Sequence, residues 1–374
     1  MGAANNSDLP RVLFLSDGLA PLVTGGMQQH STMLVKHMAP LVKHMTLMYC
    51  GSINGAVPSE EDVLAEIGHP ANVKVIGVEF VDRGFLPGHY LRASRKLSEG
   101  YLNAAGDLGV NDAIYAQGLT GDAFLGKHPN IMVNLHGLEM FQPGFSWRER
   151  LAKAILRPRF KRQINQAWRL VSLGGKLTDI LLAHGVLKVR ICVLPNGIES
   201  KWILSESESL ERKVRRQGQP TRFVLVGRNE YRKGLHVLRS ALDLVRDPIE
   251  LHMIGDWPQW DAGIHTVLHH GFVREKAKVM ALLDACDVLL LPSLSEGMPT
   301  VILEALARGL DIIATDVGAC SEMIDQKKLI PPADTGKLSR AIQEGSAAGA
   351  RYPLERFVFE EIARNTLVEM KKAL

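Results

Sequence analysis

Short apolar runs alternate with helix-periodic segments along almost the whole chain, and few folds accept that pattern. Arg11 to Ser16, Met45 to Cys50, Val73 to Val78, Ala113 to Tyr115, Ile131 to Leu135, Leu170 to Leu173 and Ile191 to Val193 read as strands. A helix-periodic segment, Met27 to Met38, follows a Gly25-Gly26 turn after the first of them. Neighbouring parallel strands must be joined by a crossover, usually a helix, so this alternation predicts parallel sheets. A second series runs through Arg222 to Val226, Glu250 to Ile254, Thr266 to His270, Val288 to Leu291 and Asp311 to Ala314. Between the two series lie Pro195-Asn196-Gly197-Ile198 and a polar stretch, Ser205 to Gln219, whose composition marks a domain boundary. At 374 residues there is material for two cores. The expectation is an α/β chain of two doubly wound, Rossmann-like domains facing each other across a cleft. They span 1–200 and 201–353, and amphipathic helices occupy 354–374.

Several function classes are excluded by what is missing. Hydrophobic residues make up 46% and charged residues 22%, as in soluble globular proteins, and no apolar run approaches the ~20 residues that span a bilayer. The first eight residues carry no basic flank, no apolar signal core and no Ser or Thr at position 6 for myristoylation, and read as a disordered lead-in. Cys50, Cys192, Cys286 and Cys320 are scattered without zinc-ligand or redox spacing, which points to reduced thiols in a cytoplasmic protein. A net charge of +4 is too small to imply nucleic acid. No Asp-x-Asp pair, Gly-x-Gly fingerprint or P-loop occurs, so neither a metal-bridged diphosphate nor a dinucleotide cofactor is expected.

The stretch from Ser295 to Glu304 carries the most chemistry. It leaves the apolar run Val288-Leu289-Leu290-Leu291-Pro292, turns at Gly297-Met298-Pro299, and enters a helix-periodic segment, Val301 to Arg308. Open α/β sheets bind ligands at the carboxyl ends of their strands, where this junction lies. The first N–H groups of a helix suit a phosphate; Met298 and Thr300 have such groups to offer and Pro299 does not. Glu296 and Glu304 flank that cradle as acceptors for hydroxyls. Phosphate donors between two hydroxyl-binding carboxylates describe a nucleotide-sugar site.

Taken in order, these motifs resemble the retaining GT-B glycosyltransferases of family 4. Gly25-Gly26 resembles the family's glycine loop, His136-Gly137 its first-domain histidine, and Pro195 to Ile198 its interdomain turn. Val226-Gly227-Arg228 with Lys233-Gly234 resembles its diphosphate pair. Glu296 and Glu304, with seven residues between them, resemble its signature glutamates. Asp311, Gly318-Ala319 and Lys327-Lys328 depart from the family pattern, beyond the reacting groups.

The resemblance implies a metal-independent, retaining transfer of a hexose from a UDP- or GDP-linked donor to a sugar or lipid-linked acceptor hydroxyl, in cell-surface polysaccharide, lipopolysaccharide or glycolipid synthesis. It implies His136, Arg228, Lys233 and Glu296 as catalytic residues. It implies Gly25, Gly26, Arg228, Lys233, Val273, Glu296, Gly297, Met298, Pro299, Thr300 and Glu304 as donor contacts, with helices at the C-terminus crossing back onto the first domain. No cofactor is expected. Alternative readings are an epimerase or phosphorylase of the same fold, or a catalytically silent nucleotide-sugar-binding subunit.

Each motif also has a plainer explanation. Arg228 and Lys233 could belong to a solvated charged loop, in which Arg232 reads as surface. Gly25-Gly26 could be only a turn, and a lone histidine is commonly structural. From Trp147 to Arg169, Arg148, Arg150, Lys153, Arg157, Arg159, Lys161, Arg162 and Arg169 face one acid, Glu149, with apolar residues interleaved. That segment is either a solvated basic helix or a contact for an anionic membrane at its inner face.

Overall fold

A computed structural model describes residues 11–52, 54–82, 84, 88–345 and 347–373. The expected N-terminal lead-in lies outside these described residues. The chain divides into two compact units. Unit 1 holds the described residues up to Leu173, Leu177–Asn196 and the chain from Phe359 onward; unit 2 holds Gly174–Lys176 and Gly197–Val358.

In unit 1 seven strands form one parallel sheet: β1 (Val12–Leu15), β2 (Met45–Tyr49), β3 (Val73–Gly77), β4 (Ala113–Gln117), β5 (Ile131–Asn134), β6 (Arg169–Ser172) and β7 (Ile191–Val193). Their order is β3-β2-β1-β4-β5-β6-β7. β1, β2, β4 and β5 are buried along their whole length, because helices cover both faces of a parallel sheet, so the polar Thr46, Gln117 and Asn134 on them are buried too. The helix Gly26–Met38 packs on the terminal helix Phe359–Lys371, whose Ile362, Ala363, Leu367 and Met370 enter the same core as Val12, Phe14 and Leu47.

In unit 2 five parallel strands, β8 (Arg222–Val226), β9 (Glu250–Ile254), β10 (Thr266–Gly271), β11 (Val288–Leu291) and β12 (Asp311–Ala314), take the order β10-β9-β8-β11-β12. Its core gathers Phe223, Leu225, Leu251, Met253, Leu290 and Ile313 from the strands with Leu238, Ala241, Leu338 and Ile342 from the helices. The polar stretch read as a boundary marker is instead a helix, Glu206–Arg216, inside unit 2, and the division falls at Asn196/Gly197. Its composition imitates a linker, but Ser205 and Glu208 form a capping box that satisfies the first N–H groups of the helix.

In both orders the chain runs outward one way from the first strand and then returns to continue on its other side. The connections after the two central strands therefore depart in opposite directions and leave a crevice at their carboxyl ends. In unit 1 that switch point lies between β1 and β4, and in unit 2 between β8 and β11.

Gly234 makes the unit 2 switch point possible. It sits in the left-handed region at φ +72°, and a Cβ there would lie 2.0 Å from the Pro292 carbonyl oxygen at the end of β11. Gly345 of the same unit is also left-handed, at φ +63°, but faces open space. Gly345→Ala is expected to cost only the left-handed penalty, about 1–2 kcal/mol. Gly234→Ala adds a backbone clash and should lower the thermal unfolding midpoint clearly further; equal losses in the two variants would refute this account of the turn.

Candidate functional site

At the unit 2 switch point the β8 end supplies a loop from Gly227 to Gly234, and the β11 end supplies Ser293 to Glu296. The two are stitched together where the Leu294 N–H donates to the Arg232 carbonyl at 2.7 Å. Glu296 is 4% exposed. Lys233 Nζ donates to its Oε1 at 2.7 Å, Ser293 Oγ donates to the same oxygen at 2.7 Å, and Arg232 Nη1 donates to Oε2 at 3.2 Å. Three donors on one carboxylate compensate for the water that its burial removes.

Arg232 is therefore not the surface residue its sequence position suggests: its guanidinium is only a third exposed and bridges Glu296 and Glu230, with Nε 2.7 Å from Glu230 Oε2. Arg228 extends outward, 69% exposed, its nearest acid being Glu230 at 3.8 Å. Sequence reasoning missed Arg232, Glu230 and Ser293. The signal for Arg232 was its place beside Lys233, on a turn whose two successive side chains reach the same partner.

The turn after Glu296 is held by the β12 loop, where Gly318 (φ +52°) lies so close that a Cβ would meet the Gly297 carbonyl oxygen at 2.1 Å. The Ala319 N–H donates to the same carbonyl at 2.8 Å. Met298 is buried, Pro299 caps the helix Thr300–Ala307, and no side chain caps its first N–H groups. Glu304 follows one turn later. Burial pushes its carboxyl up to about 7, opposed only in part by Lys276. Val273 lies beyond the end of β10, after the left-handed Gly271 and the exposed Phe272.

The unit 1 switch point is built differently. Gly25 is extended, Gly26 opens the helix Gly26–Met38 with open space where a Cβ would stand, and both follow β1. His136 follows β5 in the left-handed region at φ +51°. Its backbone N–H donates to Asn134 Oδ1 at 2.9 Å, and its Nε2 forms a short hydrogen bond with Gln117 Oε1 at the end of β4. Its ring meets His30 edge-on at 5.4 Å between centroids. Desolvation, then the neighbouring His30, holds His136 well below the usual imidazole range, and burial lowers His30 to about 4. Both rings are neutral at pH 7, and His136 Nε2 is the donor toward the Gln117 carbonyl oxygen. Beside them a cavity of about 260 Å³ is lined by Met27, Leu119, His136, Met140 and Phe160, with Asp17 and Glu139 as its acids. Burial raises the Asp17 carboxyl to about 6 against its backbone hydrogen bond and Gln28.

The sign of the Glu304 effect follows from its raised value. Below pH 4.5 the carboxyl is neutral in both folded and unfolded chains. As pH climbs toward 7 only the unfolded chain ionises, so its contribution to stability is lost across that window. At 1.36 kcal/mol per pKa unit the loss is up to about 3 kcal/mol. Glu304→Gln should remove it, so the stability of the parent minus that of the variant should fall between pH 4.5 and 7.5 in denaturant titrations. A difference that is flat with pH contradicts the assignment.

Residues 220–345 match the family model described as Glycosyl transferases group 1. The chain is 32% identical over 213 residues to a putative teichuronic acid biosynthesis glycosyltransferase, TuaC, of Bacillus subtilis, covering 54% of this chain and 51% of that protein. It is 30% identical over 141 residues to a putative colanic acid biosynthesis glycosyl transferase, WcaC, of Escherichia coli, covering 37% and 33% respectively. The chain thus spans about half the length, or less, of these curated relatives. Among solved structures, Anabaena HepE in complex with UDP-glucose superposes with a TM-score of 0.62 at 17% identity, covering 97% of this chain and 100% of that one. The lipopolysaccharide outer core galactosyltransferase WaaB does so with a TM-score of 0.67 at 17% identity and the same coverage. At such identity the superpositions establish the fold alone. Residues 220–345 are thus similar to the group 1 glycosyltransferases, and the two parallel α/β units are those of the GT-B fold.

Proposed function

We propose that this protein is a glycosyltransferase that moves a hexose from a nucleoside diphosphate sugar to an acceptor hydroxyl, with retention of configuration and without a metal ion. The observation that carries this reading is the charged cluster of Arg228, Arg232, Lys233 and Glu296 at the switch point of unit 2. A departing nucleoside diphosphate gains negative charge as the bond between the sugar's anomeric carbon and the phosphate oxygen breaks. Fixed cations beside it stabilise that state more than the ground state. Side-chain cations here take the part that a metal ion plays in other transferases. Glu296, held by Lys233, Arg232 and Ser293, faces the hexose hydroxyls, and Glu304 faces the ribose diol. Gly297, Met298, Pro299 and Thr300 shape the cradle between them, and Val273 borders the base. The acceptor oxygen forms its bond to the anomeric carbon as the phosphate oxygen leaves, and its proton passes to that phosphate oxygen. In unit 1, taken by itself, the neutral imidazole of His136 can exchange hydrogen bonds with a hydroxyl, and Gly25-Gly26 opens the helix that follows β1. The teichuronic acid and colanic acid biosynthesis for which TuaC and WcaC are named supports an acceptor in cell-surface polysaccharide assembly.

The test is a thermal-shift and turnover screen with UDP-, GDP- and other nucleotide-linked hexoses. Arg228→Ala should lower kcat by about 100-fold or more while the unfolding midpoint in the absence of nucleotide stays near the parent's, and Lys233→Ala should lower both, because it also leaves the buried Glu296 short of a partner. Parent-like turnover in both variants refutes the site.

The helix Trp147–Gln166 supports a further proposal, contact with an anionic membrane surface. Trp147 and Leu151 stand one turn apart, 65% and 52% exposed. Some of its cations are committed elsewhere: Lys153 to Glu149, Arg159 and Arg162 to Asp122, and Arg157 to the Met140 carbonyl. Arg150 and Lys161, with Arg148 stacked over the Trp147 ring at 5.4 Å, would meet lipid phosphates. No helix among the described residues is long and apolar enough to cross a membrane. Co-sedimentation with liposomes should require anionic lipid and weaken in Trp147→Ala; equal recovery with neutral liposomes rules the contact out.

A further inference from the structure

The loop between β8 and Gly234 carries one acidic side chain, and it stands among the cations. Glu230 Oε2 accepts from Arg232 Nε at 2.7 Å, while Oε1 lies 3.8 Å from Arg228 Nη1. Two further acids touch this loop: Asp256, which accepts from the Asn229 backbone N–H at 3.0 Å, and Glu296. The Lys233 side chain pairs with Glu296, at 2.7 Å, and only its backbone N–H meets Glu230, donating to the carbonyl at 2.9 Å. The cluster therefore has two parts. Lys233, Ser293 and Glu296 form a buried part with its charges matched. Arg228 and Glu230 form an outer part, and Arg232 joins the two, bonded to both Glu230 and Glu296; the outer part changes partners more easily, since Glu230 and Arg232 are each about a third exposed and Arg228 more so.

We infer that Glu230 is an internal counter-ion for Arg228 and Arg232, standing where a nucleoside diphosphate would draw them, and that it sets how tightly this site holds that anion and how readily it lets it go. The inference rests on the transferase reading of the site and adds a role for a residue that lies between the two expected phosphate contacts. The physical reason is competition for the same donors. A guanidinium already engaged by a carboxylate must give up that pairing, or share it, before it can grip a phosphate with both arms. A diphosphate offers more charge and more acceptor oxygens than one carboxylate, so it wins, but by less than it would against water alone. The same carboxylate repels the product, whose charge exceeds that of the donor once the sugar has gone. It therefore lowers affinity for the free nucleoside diphosphate more than affinity for the sugar-linked form. Glu230 touches neither sugar nor reacting atoms; it is a positioning residue that acts through the two arginines.

The experiment compares the parent, Glu230→Gln and Glu230→Asp in the full chain. Isothermal calorimetry with UDP, GDP and inorganic pyrophosphate gives affinities, and steady-state kinetics give the product-inhibition constant beside the donor KM. Glu230→Gln should bind the preferred nucleoside diphosphate, and pyrophosphate, about tenfold more tightly at low ionic strength. The gain should shrink as salt screens it. The product-inhibition constant should drop more than the donor KM, and Glu230→Asp should stay near the parent. Unchanged or weaker binding in Glu230→Gln, or equal changes in product inhibition and donor KM, would mean that Glu230 merely braces the loop, and the inference would fall. If the parent itself binds none of the three probes, the transferase reading fails first and this inference with it.

Discussion

One buried carboxylate organises the charged end of unit 2. Glu296 lies at the carboxyl end of β11, where the connections of two adjacent parallel strands part. A lone ionised carboxylate there would be costly, and Lys233, Ser293 and Arg232 make it tenable. Lys233 and Arg232 come from the loop after β8, so the ion cluster ties the ends of the two central strands together. Removing any one partner leaves a charge without compensation, which is why the group behaves as a unit.

The two units use the same topology for opposite electrostatics. The unit 2 switch point concentrates cations around an acid. In unit 1 burial keeps His136 and His30 neutral and lifts Asp17 toward neutrality. Few fixed charges surround the cavity there, and its wall is mostly apolar. A strongly charged strand end in unit 2 and a nearly neutral one in unit 1 follow from which side chains stand after the strands.

Close backbone approach is the second constraint. Gly234 and Gly318 each let a loop run against a neighbouring strand end at distances that no Cβ would permit. Gly318 keeps the Ser295-Glu296-Gly297 turn pressed against the β12 loop, although Ala319 stands where the family pattern has a second glycine. Ala319 is fully buried and its N–H bonds the Gly297 carbonyl, so the neighbouring position tolerates a methyl group.

The strand series was legible in the chain because parallel strands buried on both faces must be continuously apolar, and the described strands lie at the expected runs to within a residue or two. Glu296, Lys233 and Glu304 could be marked as candidates because local motifs place them at strand ends and on a first helical turn. The helix Glu206–Arg216 was hidden by its polar composition, although its capping residues were present. What only the tertiary structure decided is who meets whom. Arg232 turns inward because the loop after β8 is tied to β11 through Leu294. Glu230 stands between two arginines because the loop folds back on itself. The Glu304 carboxyl is raised because strands and helices distant in sequence exclude water around it. Period and composition record which face of an element is buried; the partners of a charge depend on crossovers that bring residues some sixty positions apart within 3 Å, as with Lys233 and Glu296.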